Sequence, residues 1–178
     1  KRAVEFVADE DPVTAAVARG IVQHHRDDDW FHQTRAFVEL CLDFSVRIRS
    51  VLPADEGFRP SFLGHILVEL LLDAHLIAER PAVLDTYYQA LAEVDPNRVQ
   101  QAVNRMATKE TDRFPIFLPR FLAERFLYDY AEDGKLLTRL NHVLRRVGLP
   151  LLPPEFAELL GPLRVSVRER QAALLDRG

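Results

Sequence analysis

Gly64-His65-Ile66-Leu67-Val68-Glu69-Leu70-Leu71-Leu72-Asp73-Ala74-His75-Leu76 forms most of the longest apolar stretch of the chain, which runs from Ile66 to Ala78. His65, Glu69 and Asp73 stand in it at i, i+4 and i+8, a spacing that an α-helix stacks along one face. Leu, Ile and Val fill most of the positions between, so the stretch reads as a helix that is apolar all round and buried. Glu69, Asp73 and His75 interrupt it, and the uninterrupted part is too short to span a bilayer. An ionised carboxylate in such surroundings is costly unless it is paired, hydrogen-bonded or bound to a metal. Two carboxylates one turn apart also repel each other, and a cation between them answers both problems.

The same periodicity extends outward in both directions. Apolar residues recur at three and four positions and glycines number only seven, which favours helices over strands. Asp11-Pro12, Arg59-Pro60, Arg80-Pro81, Asp95-Pro96 and Pro153-Pro154 each set a proline near a first helical turn, where its missing N–H costs nothing. Asp11 and Asp95 also offer N-cap oxygens. The pattern predicts helices near 12–31, 34–50, 60–79, 81–93, 96–108, 115–131, 134–147 and 154–175, the last with a break at Gly161-Pro162. The longest expected loop is Val51 to Gly57. No repeat or low-complexity linker appears, so the expectation is an all-α multi-helix bundle forming one domain over residues 1–178.

With 178 residues, 48% hydrophobic and 28% charged, the composition is that of a folded chain rather than a disordered one. The net charge of −4 gives no electrostatic footprint for nucleic acid, and no polybasic run marks a membrane surface. Cys41 is the lone cysteine, so no internal disulfide forms; in Phe37-Val38-Glu39-Leu40-Cys41-Leu42 it reads as a small core hydrophobe. Lys1-Arg2 is followed by no signal-peptide h-region, and the expectation is a cytoplasmic protein. The chain does not open on methionine, which allows a fragment lacking an N-terminal segment.

A second stretch repeats the spacing. In Gly20-Ile21-Val22-Gln23-His24-His25-Arg26-Asp27-Asp28-Asp29-Trp30-Phe31-His32, residues His24, Asp28 and His32 fall at i, i+4 and i+8. Adjacent helical turns that present imidazole and carboxylate can share one cation. The candidate metal ligands are therefore His24, Asp28, His32, His65, Glu69 and Asp73. Against this stands a structural alternative, in which the acids are solvated or paired with Arg19, Arg26, Arg35 or Arg47. His142 and the aromatic run Phe114, Phe117, Phe121, Phe126, Tyr128 and Tyr130 read as structural. Glycine-rich nucleotide loops, Gly-x-Ser-x-Gly and paired Cys-x-x-Cys are all lacking.

Taken in order, these segments resemble the acyl carrier protein phosphodiesterase family, the ACP hydrolases. That family's Gly-Ile-x-Leu-His-Arg-x-Ile-Asp-x-Phe-Thr-Asp stretch is similar to Gly20 through His32, with Asp28 at an Asp position, Trp30 for Phe and His32 at the later Asp. Its Asp-x-x-x-Asp-His-x-Leu motif is similar to Glu69 through Leu76, with Glu69 for the first Asp and His75 displaced by one residue. Phe126-Leu127-Tyr128-Asp129-Tyr130, Gly134-Lys135-Leu136 and Arg145-Arg146 resemble its later elements. His65 matches no family position, and the family's opening Met-Asn-x-Leu-Ala-His and Gly-Asn-x-x-x-Asp segments have no counterpart here.

The resemblance implies a helical fold related to the HD phosphohydrolases and release of phosphopantetheine from holo-acyl carrier protein, the expected partner. Mixed imidazole and carboxylate donors suit a divalent ion, with Mn²⁺ or Mg²⁺ first and Fe²⁺ or Zn²⁺ next. His75 or His25 would protonate the leaving group, and Arg26 or Arg145 would clamp phosphate oxygens. Arg139, Arg145, Arg146, Arg164, Arg168 and Arg170 would offer an acidic partner a basic face. The competing expectation is a non-catalytic helical interaction module whose histidines and acids form internal salt bridges.

Overall fold

The structure, a computed structural model, describes residues 2–54 and 56–177. Among these residues every regular element is helical: α1 (Pro12–Gln33), α2 (Arg35–Val51), α3 (Pro60–Glu79), α4 (Pro81–Ala92), α5 (Pro96–Met106), α6 (Phe114–Glu124), α7 (Asp133–Arg146) and α8 (Ala157–Leu174). Short 3₁₀ segments occupy Arg2–Phe6, Phe126–Ala131 and Pro154–Phe156. The all-α expectation holds, and the starts of α1, α3, α4 and α5 fall on Pro12, Pro60, Pro81 and Pro96. Asp95 caps α5 by accepting from the N–H groups of Asn97 and Arg98. Asp11 does the same for α1 through Thr14 N–H at 2.9 Å.

Two departures from expectation stand out. The helix expected over 115–131 stops at Glu124, because Arg125 takes a left-handed conformation with φ 43° and ψ 38°. That conformation costs a non-glycine residue about 1 kcal/mol or more. The Arg125 guanidinium is held by Asp85 at 2.9 Å and lies 4.9 Å from the Tyr88 ring centroid, contacts that offset the strain. The break expected at Gly161-Pro162 does not occur, and α8 runs through it. Pro162 forfeits one backbone hydrogen bond, but Leu160, Leu163 and Val167 on the same helix are fully buried.

The contacts divide the chain into two compact units, Lys1–Trp30 with Ala82–Arg125 and Phe31–Pro81 with Phe126–Gly178. Neither is one continuous stretch, which is why composition along the chain marks no boundary. The first unit has a small core of Ala3, Ala18, Ala102 and Met106 with Phe6 and Ile21 against it. Polar ties supplement that core: Arg105 pairs with Asp9 at 2.8 Å and Arg98 with Asp11 at 2.9 Å.

The second unit holds the larger core. Leu40, Phe44 and Ile48 of α2 are buried together with Leu63, Leu67 and Leu71 of α3, Leu136, Leu140 and Leu144 of α7, and Leu160, Leu163 and Val167 of α8. Each large side chain so buried contributes roughly 1.5–3 kcal/mol. The helix α3 is not buried all round, contrary to expectation: His65, Ile66, Glu69 and Leu70 are half-buried and Asp73 is exposed. By length and composition it is also apolar enough to cross a membrane, with a mean hydropathy of 1.5 over its most apolar window. Soluble-core helices meet that criterion as well, and Leu63, Leu67, Val68 and Leu71 lie in the core of this unit.

The two helices α2 and α3 make the most extensive pairing in the molecule, and Gly64 sets how closely they approach. A Cβ at Gly64 would lie 2.9 Å from the carbonyl oxygen of Cys41 and 3.1 Å from Ser45 Oγ. The Ser45 hydroxyl is buried and donates to the Cys41 carbonyl at 2.7 Å and, more weakly, to that of Pro60 at 3.3 Å. Gly64→Ala gains up to about 1 kcal/mol of helix propensity, but the clash is with backbone and costs roughly 1–3 kcal/mol. We expect net destabilisation, read as a lower midpoint in urea unfolding; an unchanged or higher midpoint would show that the crossing has slack.

Candidate metal centre

His32 occupies the last turn of α1, and a single residue, Thr34, separates that helix from α2. Thr34 Oγ1 donates to the Phe31 carbonyl at 2.9 Å and accepts from Phe37 N–H at 3.2 Å, ending one helix and capping the next. The short join brings the end of α1 against α3. There His32 Nε2 lies 2.8 Å from Glu69 Oε1, and His65 Nε2, one turn before Glu69 on α3, lies 3.3 Å from the same oxygen.

The two imidazole centroids are 4.6 Å apart, with the rings inclined at 54°. Phe37, buried on α2, packs against both: its centroid is 4.7 Å from that of His32 and, edge-on, 5.0 Å from that of His65. One side of the group is therefore walled by an apolar ring. The other side is open, since the side chains of His32, Glu69 and His65 keep 27, 38 and 42% of their surface.

His32, His65 and Glu69 each offer one ligand atom, and these atoms all lie within 4.8 Å of one another. Atoms bonded to one ion at about 2.0–2.2 Å stand no more than about 4.4 Å apart. Side-chain shifts of a few tenths of an ångström would therefore close the group on a cation. The donor set could hold a metal.

Charge around the group points the same way. Several other acids in this unit have cationic partners: Asp43 with Arg47, Glu39 with Arg35 and Arg170, Asp129 with Arg139, Asp133 with Arg164. Arg35 and Arg47, two of the guanidinium groups available to neutralise Glu69 or Asp73, are thus engaged on α2. Among the described residues no Lys or Arg pairs with Glu69 or Asp73. The Asp73 carboxyl is pushed up to about 6, first by lost hydration and then by the charge of Glu69. It remains an exposed position, so water screens part of that effect. The half-buried Cys41 thiol is pushed up to about 11 by burial and, secondarily, by Glu69, which keeps it from acting as a thiolate near neutral pH.

The other candidates are not part of this group. His24, His25 and Arg26 are exposed on α1 and Asp28 is partly buried there, all in the unit that contains Lys1–Trp30. The i, i+4, i+8 spacing of His24, Asp28 and His32 is realised on one unbroken helix. His75, six residues beyond Glu69, sits about 120° around α3 from it. Its Nε2 is 2.7 Å from Gln171 Oε1 of α8, and Gln171 in turn donates to Glu79 at 2.8 Å. Of the expected basic face, Arg139, Arg164 and Arg170 are spent on internal acids, while Arg145, Arg146 and Arg168 are exposed. Phe37 was not among the sequence candidates; a buried aromatic on α2 carries no mark of the imidazoles it touches. Comparisons with protein-family models, curated proteins and solved structures find no match to this chain.

The Asp73 shift sets a pH dependence. Because its folded pKa is raised from 3.8 to about 6, the native state is relatively favoured at low pH, and that advantage is lost as pH rises through about 6. Asp73→Asn, which mimics the protonated acid, should unfold at a higher temperature than the parent at pH 8, by about 2 °C. At about pH 3, below the unfolded value of 3.8, the two should melt together. A variant less stable than the parent at pH 8 would mean that the ionised carboxylate is stabilising in the metal-free chain.

Proposed function

We propose that this chain is a metal-dependent phosphoester hydrolase whose ion is held by His32, His65 and Glu69. The observation that carries the reading is the meeting of two imidazoles and one carboxylate, from two helices, with ligand atoms all within 4.8 Å of one another. The lack of a Lys or Arg beside Glu69 and Asp73 supports it, since a divalent ion would supply the missing positive charge. When bound, such an ion polarises a phosphoryl oxygen and brings the pKa of a coordinated water near neutrality. Asp73, one turn beyond Glu69 on α3, would take up a proton from the attacking water. Phe37 limits solvent on one side of the site and fixes the ring planes of both histidines. All of these groups belong to one unit.

The substrate class comes from the sequence resemblance. His32, Glu69 and Asp73 stand where the acyl carrier protein phosphodiesterases have acids, which suggests the phosphodiester linking phosphopantetheine to holo-acyl carrier protein. Arg145, Arg146 and Arg168 are the exposed cations offered to such an acidic partner. A second reading, a helical interaction module, is favoured by one observation: Glu69 already accepts from His32 at 2.8 Å, a contact that needs no ion.

Elemental analysis of the purified chain, after exposure to Mn²⁺ or Zn²⁺ and gel filtration, separates the two. The hydrolase reading expects about one ion per chain, its loss in His32→Ala/His65→Ala, and release of phosphopantetheine from holo-acyl carrier protein that the double variant slows by ~100-fold or more. An ion-free parent that folds unchanged with chelator present would overturn the hydrolase reading. A metal-loaded parent that cleaves neither this substrate nor simple aryl phosphodiesters would end the hydrolase reading.

A further inference from the structure

The donors that meet at Glu69 are two nitrogens and one oxygen, and that ratio bears on which ion the site takes. Mg²⁺ and Ca²⁺ are hard ions that collect six or more oxygens, and Mn²⁺ also favours carboxylate and water. Imidazole suits Zn²⁺, Co²⁺, Fe²⁺ and the later ions of the row. Here the group supplies one carboxylate oxygen against two imidazole nitrogens, and the Phe37 ring walls one side of it. Three protein donors with an open face is also the arrangement of catalytic zinc sites, in which water takes the fourth position.

We infer that the His32–His65–Glu69 group is a three-donor site selective for imidazole-preferring ions of the zinc type over Mn²⁺, Mg²⁺ and Ca²⁺. The inference rests on the metal-binding reading above and deepens it by fixing the ion. It also assigns unequal roles to the donors. His65 and Glu69, one turn apart on α3, form the fixed half of the site. His32 arrives from the end of α1, 37 residues away in sequence, so an ion bound there cross-links two helices.

The test uses the full chain stripped with a chelator, and His65→Asp, a change at a position open enough to tolerate it. Affinities for Zn²⁺ and Co²⁺ are read by competition with a chromophoric chelator, and those for Mn²⁺ and Mg²⁺ by direct titration. Because nearly every site prefers Zn²⁺ to Mn²⁺, the deciding quantity is the change in their ratio. It should fall by about 10-fold or more in His65→Asp as an imidazole gives way to a carboxylate. In the parent, bound Co²⁺ should show the intense visible bands of a four- or five-coordinate ion, and the melting temperature should rise with Zn²⁺ but not with Mg²⁺. An unchanged ratio, a weak six-coordinate Co²⁺ spectrum, or Mn²⁺ or Mg²⁺ binding as tight as Zn²⁺ would overturn the selectivity while leaving a metal-dependent hydrolase with a harder ion. No binding of any of the four ions, or binding indifferent to both His65→Asp and His32→Ala, would overturn the selectivity and the metal reading together.

Discussion

The backbone of α3 lies against that of α2 at Gly64, where a Cβ would come within 2.9 Å of the Cys41 carbonyl. Much of the second unit follows from that approach. Ser45, buried at the crossing, hydrogen-bonds to carbonyls of both helices and fixes their register. With the register set, the 100° step of an α-helix fixes the rest. Leu63, Leu67 and Leu71 go to the core. His65, Glu69 and Asp73 take the adjoining strip, which the core does not cover. The polar strip is thus carried on one of the best-packed helices in the chain, a placement that holds donors to narrow tolerances.

The opposite half of the site depends on a different constraint. A longer join between α1 and α2 would let His32 wander. The one-residue join at Thr34, with its two hydrogen bonds, leaves the last turn of α1 little freedom. Phe31 and Phe37 then pack at 4.9 Å between centroids, and the Phe37 ring becomes the surface on which both imidazoles rest. Core packing and donor geometry are here the same set of contacts.

How far the sequence carried the reading depends on the range of the interaction involved. Helix starts were legible because proline and the Asp11 and Asp95 caps act over three or four residues. The pair His65–Glu69 was legible for the same reason, as an i, i+4 neighbour. The end of α6 was not, since Arg125 is held left-handed by Asp85 and Tyr88, forty and thirty-seven positions earlier. Nor did spacing alone show that His32 would meet Glu69 while His24 and Asp28 stayed on α1 in the other unit. Periodicity places a residue on a face of its own helix; which partner that face meets is decided by the crossing of helices distant in sequence.

The same limit explains why a metal site and an internal salt bridge look alike from sequence. An internal network needs cations, and this unit has them: Arg47, Arg139, Arg164 and Arg170 each sit on an acid. They are directed to Asp43, Asp129, Asp133 and Glu39, whereas Glu69 meets His32 and His65 and no Lys or Arg among the described residues pairs with Asp73. Hydrogen bonds from imidazoles lower the cost of that arrangement without cancelling the repulsion between Glu69 and Asp73, which is part of what holds Asp73 above its ordinary range. A divalent ion at Glu69, were one bound, would relieve the repulsion that the arginines leave in place.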